Sequence, residues 1–265
     1  METIVLVPLG GLCNRLRAIL SALAWARDSH TTLEIVWLRD AGLNARFSDL
    51  FEPLTLPDEL KVTKARVTES DSWLRYGVAR KQNLWLPAIY QRCAFNVRLK
   101  DEIRGHLHGR VLVQTGYSFY PAKDEWLKIL FHPSAAVEAL LQQRLPQITS
   151  HTVGVHIRQT DNRLSLEYSP LSAFEAAMQR DLDRDPEVEF YVATDNPTLL
   201  PVLSKQFPIC YSTTAPSRDS VRGMQEAVAE LWTLMSCPRF HGSYWSSFSD
   251  TVVALSPNGD IVARK

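Results

Sequence analysis

The sequence is short of almost every feature that marks a specialised class of protein. Positive and negative residues balance, 29 Lys and Arg against 29 Asp and Glu, so the formal net charge is zero. With no basic stripe and no acidic tail, neither nucleic-acid binding nor a solvating segment is expected. There are only four cysteines, Cys13, Cys93, Cys210 and Cys237. None forms a Cys-x-x-Cys pair and no His/Cys spacing reads as a zinc site, so no metal is expected and reduced thiols are the simplest reading. No apolar run reaches the ~20 residues that a membrane helix needs. The first residues lead straight into a strand, without the basic and apolar regions of a signal peptide. A cytoplasmic location follows as the expectation, with peripheral docking on a membrane left open. Two glycine motifs are also missing. The absence of Gly-x-Gly-x-x-Gly argues against a dinucleotide-dependent oxidoreductase, and no Gly-Lys-Ser/Thr forms a P-loop.

What is present is an ordinary globular chain of 265 residues, 45% apolar and 22% charged. That length allows one large domain or two smaller ones with a sizeable core. Thr3 to Val7 reads as a buried strand, Gly10-Gly11 as a tight turn, and 14–27 as a helix with Leu16, Ile19, Leu20, Leu23 and Ala24 at helical spacing. Leu33 to Leu38 reads as the next strand. Strand, turn, helix and strand make a βαβ opening, which implies a parallel sheet. Lys61 to Val67 alternates like an edge strand. Val111 to Thr115 is a further strand, whose aromatic exit, 116–121, is expected to face a cleft. Between them, 70–105 mixes Trp73, Trp85, Arg75, Arg80 and Arg92 without a clean period. Pro133 fits the first turn of a helix to about Leu145. Pro146 closes that helix and sets the domain boundary, giving domains 1–146 and 147–265. The second half reads as a strand at 152–157, a helix at 172–183, strands at 190–194 and 209–211, a helix from Ser220 to about Met235, a strand at Phe240 and a last helix opened by Ser246 or Ser247.

Chemistry gathers at predicted strand ends. In Val153-Gly-Val-His156-Ile-Arg158-Gln159-Thr160-Asp161 the β-branched residues suit a buried central strand. A guanidinium is costly in a sheet interior, so Arg158 belongs where the strand ends. In an open α/β sheet that is where ligands bind, and an Arg offers a fork of donors suited to phosphate. The plainer alternative is a salt bridge between Arg158 and Asp161. Ala193-Thr194-Asp195-Asn196 leaves the next strand on the same rim, although Asp195 or Asn196 also suits a helix cap. Ser243, Ser246, Ser247 and Ser249 cluster at a helix start, where hydroxyls and unpaired N–H groups form an anion site. Asp181-Leu-Asp183-Arg-Asp185 has a metal-chelating spacing but reads as a solvated helix end. Glu226 and Glu230 share a helix face. Glu226 suits solvent, whereas Glu230, among Val228, Leu231 and Leu234, does not.

Taken together, these residues resemble the inverting GDP-fucose fucosyltransferases of the α-1,6, nodulation and protein-O-fucosyl types. The resemblance rests on Gly10-Gly11-Leu-Cys-Asn14, His156-Ile-Arg158-Gln-Thr160-Asp161, Ala193-Thr194-Asp195, Ser220-Val-Arg222-Gly223 with Glu230, and Ser246-Ser247-Phe-Ser249. It implies an α/β, GT-B-like fold of two Rossmann-like domains with parallel sheets facing a cleft, the first on the acceptor side and the second binding the donor. It implies a metal-independent inverting transfer of fucose from GDP-fucose to a carbohydrate acceptor. In that reading Arg158 binds the diphosphate, His156 and Glu230 recognise guanine, and Asp195 helps to hold the nucleotide. Ser246, Ser247 and Ser249 hold the phosphates, and Gly11 and Asn14 match the N-terminal turn. Asp161 and Glu167 are candidate bases, with Asp40 and Asp195 behind them. Two departures stand out: Gln159 occupies the position of a second consecutive arginine, and Glu230 that of an aspartate. A non-catalytic nucleotide-sugar- or glycan-binding protein is the alternative, as is a transferase with another nucleotide sugar. The oligomeric state is not legible.

Overall fold

The structure is a computed structural model that describes residues 2–60, 64–71, 92–95, 98, 109–256 and 258–262. Trp73, Trp85, Arg75 and Arg80 lie outside the described residues, and Arg92 is described by its backbone alone. The chain divides into two compact units, 1–134 with 218–224, and 135–217 with 225–265.

The first unit holds strands β1 (Thr3–Pro8), β2 (Thr32–Leu38), β3 (Ala65–Ser70), β4 (Arg92–Phe95) and β5 (Arg110–Thr115), with helix α1 (Leu12–Asp28) between the first two. Their order across the sheet is β3-β2-β1-β5-β4, and every pair is parallel. β1 and β2 bury nearly every side chain, as strands covered on both faces must. The second unit holds α2 (Ala135–Arg144), β6 (Thr152–Ile157), α3 (Leu171–Arg184), β7 (Glu189–Thr194), β8 (Ile209–Cys210), all but the first turn of α4 (Val221–Ser236), β9 (Arg239–Ser243), α5 (Ser247–Leu255) and β10 (Gly259–Val262). Its order is β10-β9-β6-β7-β8, again wholly parallel. The expected α/β architecture with two parallel sheets is therefore present. Among the described residues, no helix is long and apolar enough to cross a membrane.

In each unit the first strand in sequence lies in the middle, with later strands on both sides of it, so the order reverses at β1 and at β6. The carboxyl ends of those two strands are the places where such sheets open a crevice for a ligand.

Several details differ from the sequence expectations. The edge strand β3 starts at Ala65, later than the alternating run suggested. Pro133 precedes α2 and bridges Phe51 instead of lying in the helix. A short helix, Arg163–Tyr168, lies between the strand at 152–157 and the following long helix, and β10 follows Pro257 unannounced. In the aromatic exit after β5, Phe119 is buried edge-to-face against Trp25 at 6.1 Å, so that ring serves the core.

Candidate functional site

All six residues of β6 are buried, and Arg158 is the first residue beyond it. Its backbone N–H donates to Ser243 Oγ at 2.9 Å, and that hydroxyl donates to His156 O at 3.1 Å. Ser243 therefore ties the end of β9 to the end of β6. From the end of β7, Asp195 accepts from Gln159 N at 2.7 Å and from Thr160 Oγ1 at 2.6 Å. Its carboxylate shapes the loop after Arg158, while Asn196 caps the next turn by accepting from Thr198 N. Three neighbouring strand ends thus hold one loop.

The Arg158 guanidinium is 19% exposed, 2.5 Å from Asp161 Oδ1 and 3.9 Å from Asp195 Oδ2. The plainer reading, a salt bridge to Asp161, is present. Asp161 is 63% exposed, and pairs of that kind are worth about 0–1 kcal/mol. Such a pair yields readily to a dianion. Glu167 is exposed on the short helix, whose start Asn162 caps. Gln159 Nε2 donates to Ser169 O at 3.1 Å.

The serine cluster has divided roles. Ser246 is the N-cap of α5, its Oγ accepting from Ser249 N at 3.5 Å. Ser247 is half-buried in the first turn. Ser249 is buried and lies inward: its Oγ accepts from Ser243 N at 2.9 Å and sits 2.8 Å from His156 Nδ1. Gly242 permits this approach, since a Cβ there would fall 2.7 Å from Ser249 Cβ. The His156 ring stacks on Phe248 at 4.7 Å. Burial, and then the Arg158 charge, push its pKa down to about 4, so it is neutral at pH 7.

Glu230, on α4, is buried and lines a pocket of about 210 Å³ with Thr194, Tyr211 and Ser212. Burial raises its pKa to about 8 against the pull of Arg144, and Glu226 adds to the rise. Glu226 itself corrects the sequence reading. It is not solvated but 1% exposed, and it pairs with the buried Arg144 of α2. Arg144 Nη2 also donates to Ser212 Oγ at 3.0 Å, while its Nη1 is buried without a partner. Asp181 is a second correction. Instead of ending a solvated helix it is buried, accepting from Arg239 Nη1 at 2.9 Å and facing His241 Nε2 at 2.7 Å. Among the described residues no group of three or more His, Cys, Asp or Glu side chains is placed to hold a metal ion.

In the first unit, Gly10 adopts φ +81° at the end of β1, and Gly11 is the N-cap of α1. Asn14 lies against this turn, with its Oδ1 buried and without a partner. Arg15 was not singled out by the sequence. It is fully buried, donating to Gly10 O at 2.8 Å, to Leu38 O and to Asp40 Oδ2 at 2.8 Å, with its guanidinium 5.0 Å from the Trp37 ring centroid. A cation on the apolar face of α1, beside Leu16 and Ile19, is the signal that could have found it. Asp40, once a candidate base, is occupied by Arg15 and by the N–H groups of Gly42 and Leu43.

The structure therefore gathers His156, Arg158, Asp161, Asp195, Ser246, Ser247 and Ser249 around the strand ends of the second sheet, with Glu230 in a pocket reached from the end of β7. Gly11 and Asn14 belong to the equivalent point of the first sheet. No family model matches the chain, and no curated protein matches it in sequence. Solved structures do match in fold. NodZ α-1,6-fucosyltransferase, soaked with GDP-fucose, aligns with TM-score 0.65 at 15% identity over 97% of this chain and 93% of its own. POFUT1 in complex with GDP-fucose aligns with TM-score 0.59 at 12% identity over 98% of both chains. A mutant of Arabidopsis thaliana FUT1 in complex with GDP aligns with TM-score 0.60 at 15% identity over all of this chain and 70% of its own. This chain thus shares the two-sheet fold of these fucosyltransferases.

Proposed function

We propose that this chain is a glycosyltransferase that moves fucose from GDP-fucose to a hydroxyl of a carbohydrate or glycoconjugate, with inversion and without a metal. The observation that carries the reading is Arg158 at the carboxyl end of β6, where the strand order reverses, on a fold whose neighbours were solved with GDP-fucose or GDP.

Breaking the sugar–phosphate bond releases a diphosphate, whose growing charge must be met as it forms. Arg158 and the positive end of the α5 dipole, with Ser246 and Ser247, supply positive potential there without an ion. Groups of this kind are worth roughly 3–4 kcal/mol each in the barrier. The sugar passes through an oxocarbenium-like state. Guanine enters the Glu230 pocket, where a carboxylate matches the N1–H and N2–H donors, and His156 is the second group assigned to its recognition. Asp195 keeps the Arg158 loop in shape, and Ser249 does the same for His156. Asp161 and Glu167, both solvent-facing, are the candidate bases for the acceptor hydroxyl. The part spanning 147–265 binds the donor, and 1–146, with Gly11 and Asn14 at its glycine turn, serves the acceptor side in the cytoplasm.

A second reading, a nucleotide-sugar-binding protein without turnover, is favoured by Gln159. Its amide is engaged with Ser169 O and supplies no second cation. Calorimetric titration with GDP, GDP-fucose, GDP-mannose, UDP and NAD, with and without EDTA, tests the proposal. GDP binding that ignores EDTA and collapses in Arg158→Ala supports it, and transfer from GDP-fucose to any acceptor removes the second reading. A folded protein that binds no nucleotide sinks both.

A further inference from the structure

Trp245 adopts φ +55°, and only one other described non-glycine residue, His30, has a positive φ. A bulky side chain in that region is a true outlier that persists only where the surroundings impose it. Glycine would sit there without strain. The indole gains little in return from the protein, being 62% exposed.

The surroundings fix this bend from three sides. Asn162 Nδ2 donates to Trp245 O at 2.8 Å, and Ser165 Oγ donates to Tyr244 O at 2.7 Å. Tyr244 N donates to Ser169 Oγ at 2.9 Å. The consequence is a run of three exposed rings. Tyr168 is 5.1 Å from Tyr244, which is 6.0 Å from Trp245, and their exposures are 41%, 36% and 62%. A contiguous exposed aromatic patch marks a binding surface. This one is continuous with the anion-binding strand ends. Trp245 precedes the α5 cap Ser246, and Asn162, which holds it, follows Asp161, the partner of Arg158. An exposed ring face beside the Asp161 carboxylate and the Asn162 amide suits a ligand with one apolar C–H face and a rim of hydroxyls, which describes a pyranose.

We infer that Tyr168, Tyr244 and Trp245 form a stacking platform for a pyranose ring of the carbohydrate acceptor, held beside Arg158 by the locked left-handed bend at Trp245. This rests on the transferase reading and extends it by giving the donor half its own part in acceptor binding.

The test uses the full chain with methyl pyranosides of glucose, galactose, mannose and N-acetylglucosamine, followed by saturation-transfer NMR with and without GDP. Trp245→Gly removes the ring and relieves the strained φ, so the variant folds at least as well, and Trp245→Phe restores a ring. Binding of at least one pyranoside should weaken about tenfold or more in Trp245→Gly and recover in part in Trp245→Phe, while GDP affinity stays unchanged. Equal pyranoside binding by wild type and Trp245→Gly, or none by wild type, overturns the platform. Weaker GDP binding in Trp245→Gly also overturns it, by giving the ring to the nucleobase. If wild type binds no GDP yet a pyranoside still depends on Trp245, the platform stands and the donor reading falls.

Discussion

Ser249 Oγ lies 2.8 Å from His156 Nδ1 while accepting the N–H of Ser243 at 2.9 Å. That N–H takes one of the two acceptor lone pairs of the hydroxyl, and the direction of the bond to Nδ1 goes with the tautomer of the ring. A Ser249 hydroxyl that donates to Nδ1 puts the proton of the neutral His156 ring on Nε2, and this is the arrangement expected here because it leaves neither group of the pair idle. One serine thus joins the histidine to the seam between β6, β9 and α5.

Ser249→Ala should leave two buried groups, Ser243 N and His156 Nδ1, without a partner. Each costs about 1–3 kcal/mol, so thermal unfolding should fall by several degrees. Nitrogen-15 NMR should show Nε2–H in the wild type and mixed tautomers in the variant. A wild-type ring protonated on Nδ1 would contradict the assignment.

Glu230 gives the nucleotide pocket its own pH dependence. Its folded-state pKa of about 8 lies above the usual carboxyl range because burial disfavours the charge. At pH 7 it is mostly protonated, whereas guanine recognition wants the carboxylate. If Glu230 reads guanine, GDP affinity should rise with pH up to about 8 and then level off. Glu230→Gln should bind GDP more weakly at pH 8.5 and show no such slope. An identical pH profile in both proteins would place guanine elsewhere.

At Gly242 the start of α5 packs directly against β9. In Gly242→Ala the new Cβ would meet Ser249 Cβ at 2.7 Å and Phe240 Cε1 at 2.8 Å. Neither gives way cheaply, because one is anchored to a helix and the other is fully buried. The substitution should cost about 1–3 kcal/mol, as overpacking does. It should also loosen the Ser249–His156 contact, so denaturant midpoints and the His156 NMR signal should shift together. A variant as stable as wild type would show that the helix start moves freely.

The sheets and the loop at Arg158 were legible because their signals are local. Val153, Val155 and Ile157 mark a buried strand, and a charge directly after them must lie at its end. Glu230 was legible for the same reason, from its apolar neighbours on one helix. Glu226 was not, because what buries it is Arg144, far off in sequence on another helix. Asp181 was misread likewise: Arg239 and His241 reach it from β9. Arg15 looked like any arginine in a helix until Asp40 and Leu38 closed round it. The four residues of β10 carry too short a pattern to compete with the proline before them. The bend at Trp245 is invisible in composition, since tryptophan is among the last residues expected at positive φ.

Two histidines of the second sheet should give stability a maximum near neutral pH. His156 is held neutral, with a folded pKa of about 4 against 6.5 when unfolded. The unfolded chain therefore takes up the proton first as pH falls. Stability is full above 6.5 and declines toward pH 4, by about 3 kcal/mol for a shift of that size. His241 has the opposite sign. Its Nδ1 is 2.5 Å from Asp260 Oδ1 and its Nε2 is 2.7 Å from Asp181 Oδ2, so both nitrogens must donate and the ring is held as imidazolium. Arg239, bonded to Asp181 at 2.9 Å, is the other charge in contact. Burial opposes this charge, yet hydrogen bonds and attraction from the two aspartates leave the His241 pKa raised. Its contribution is full below pH 6.5 and disappears as pH rises through the folded value. Urea unfolding from pH 4 to 9 should therefore show a dome, and His241→Gln should flatten its alkaline limb while leaving the acid limb in place. Proton NMR should find His156 uncharged at pH 6 and a His241 midpoint above that of a free histidine; a His241 that titrates at or below 6.5 would break the argument at its root.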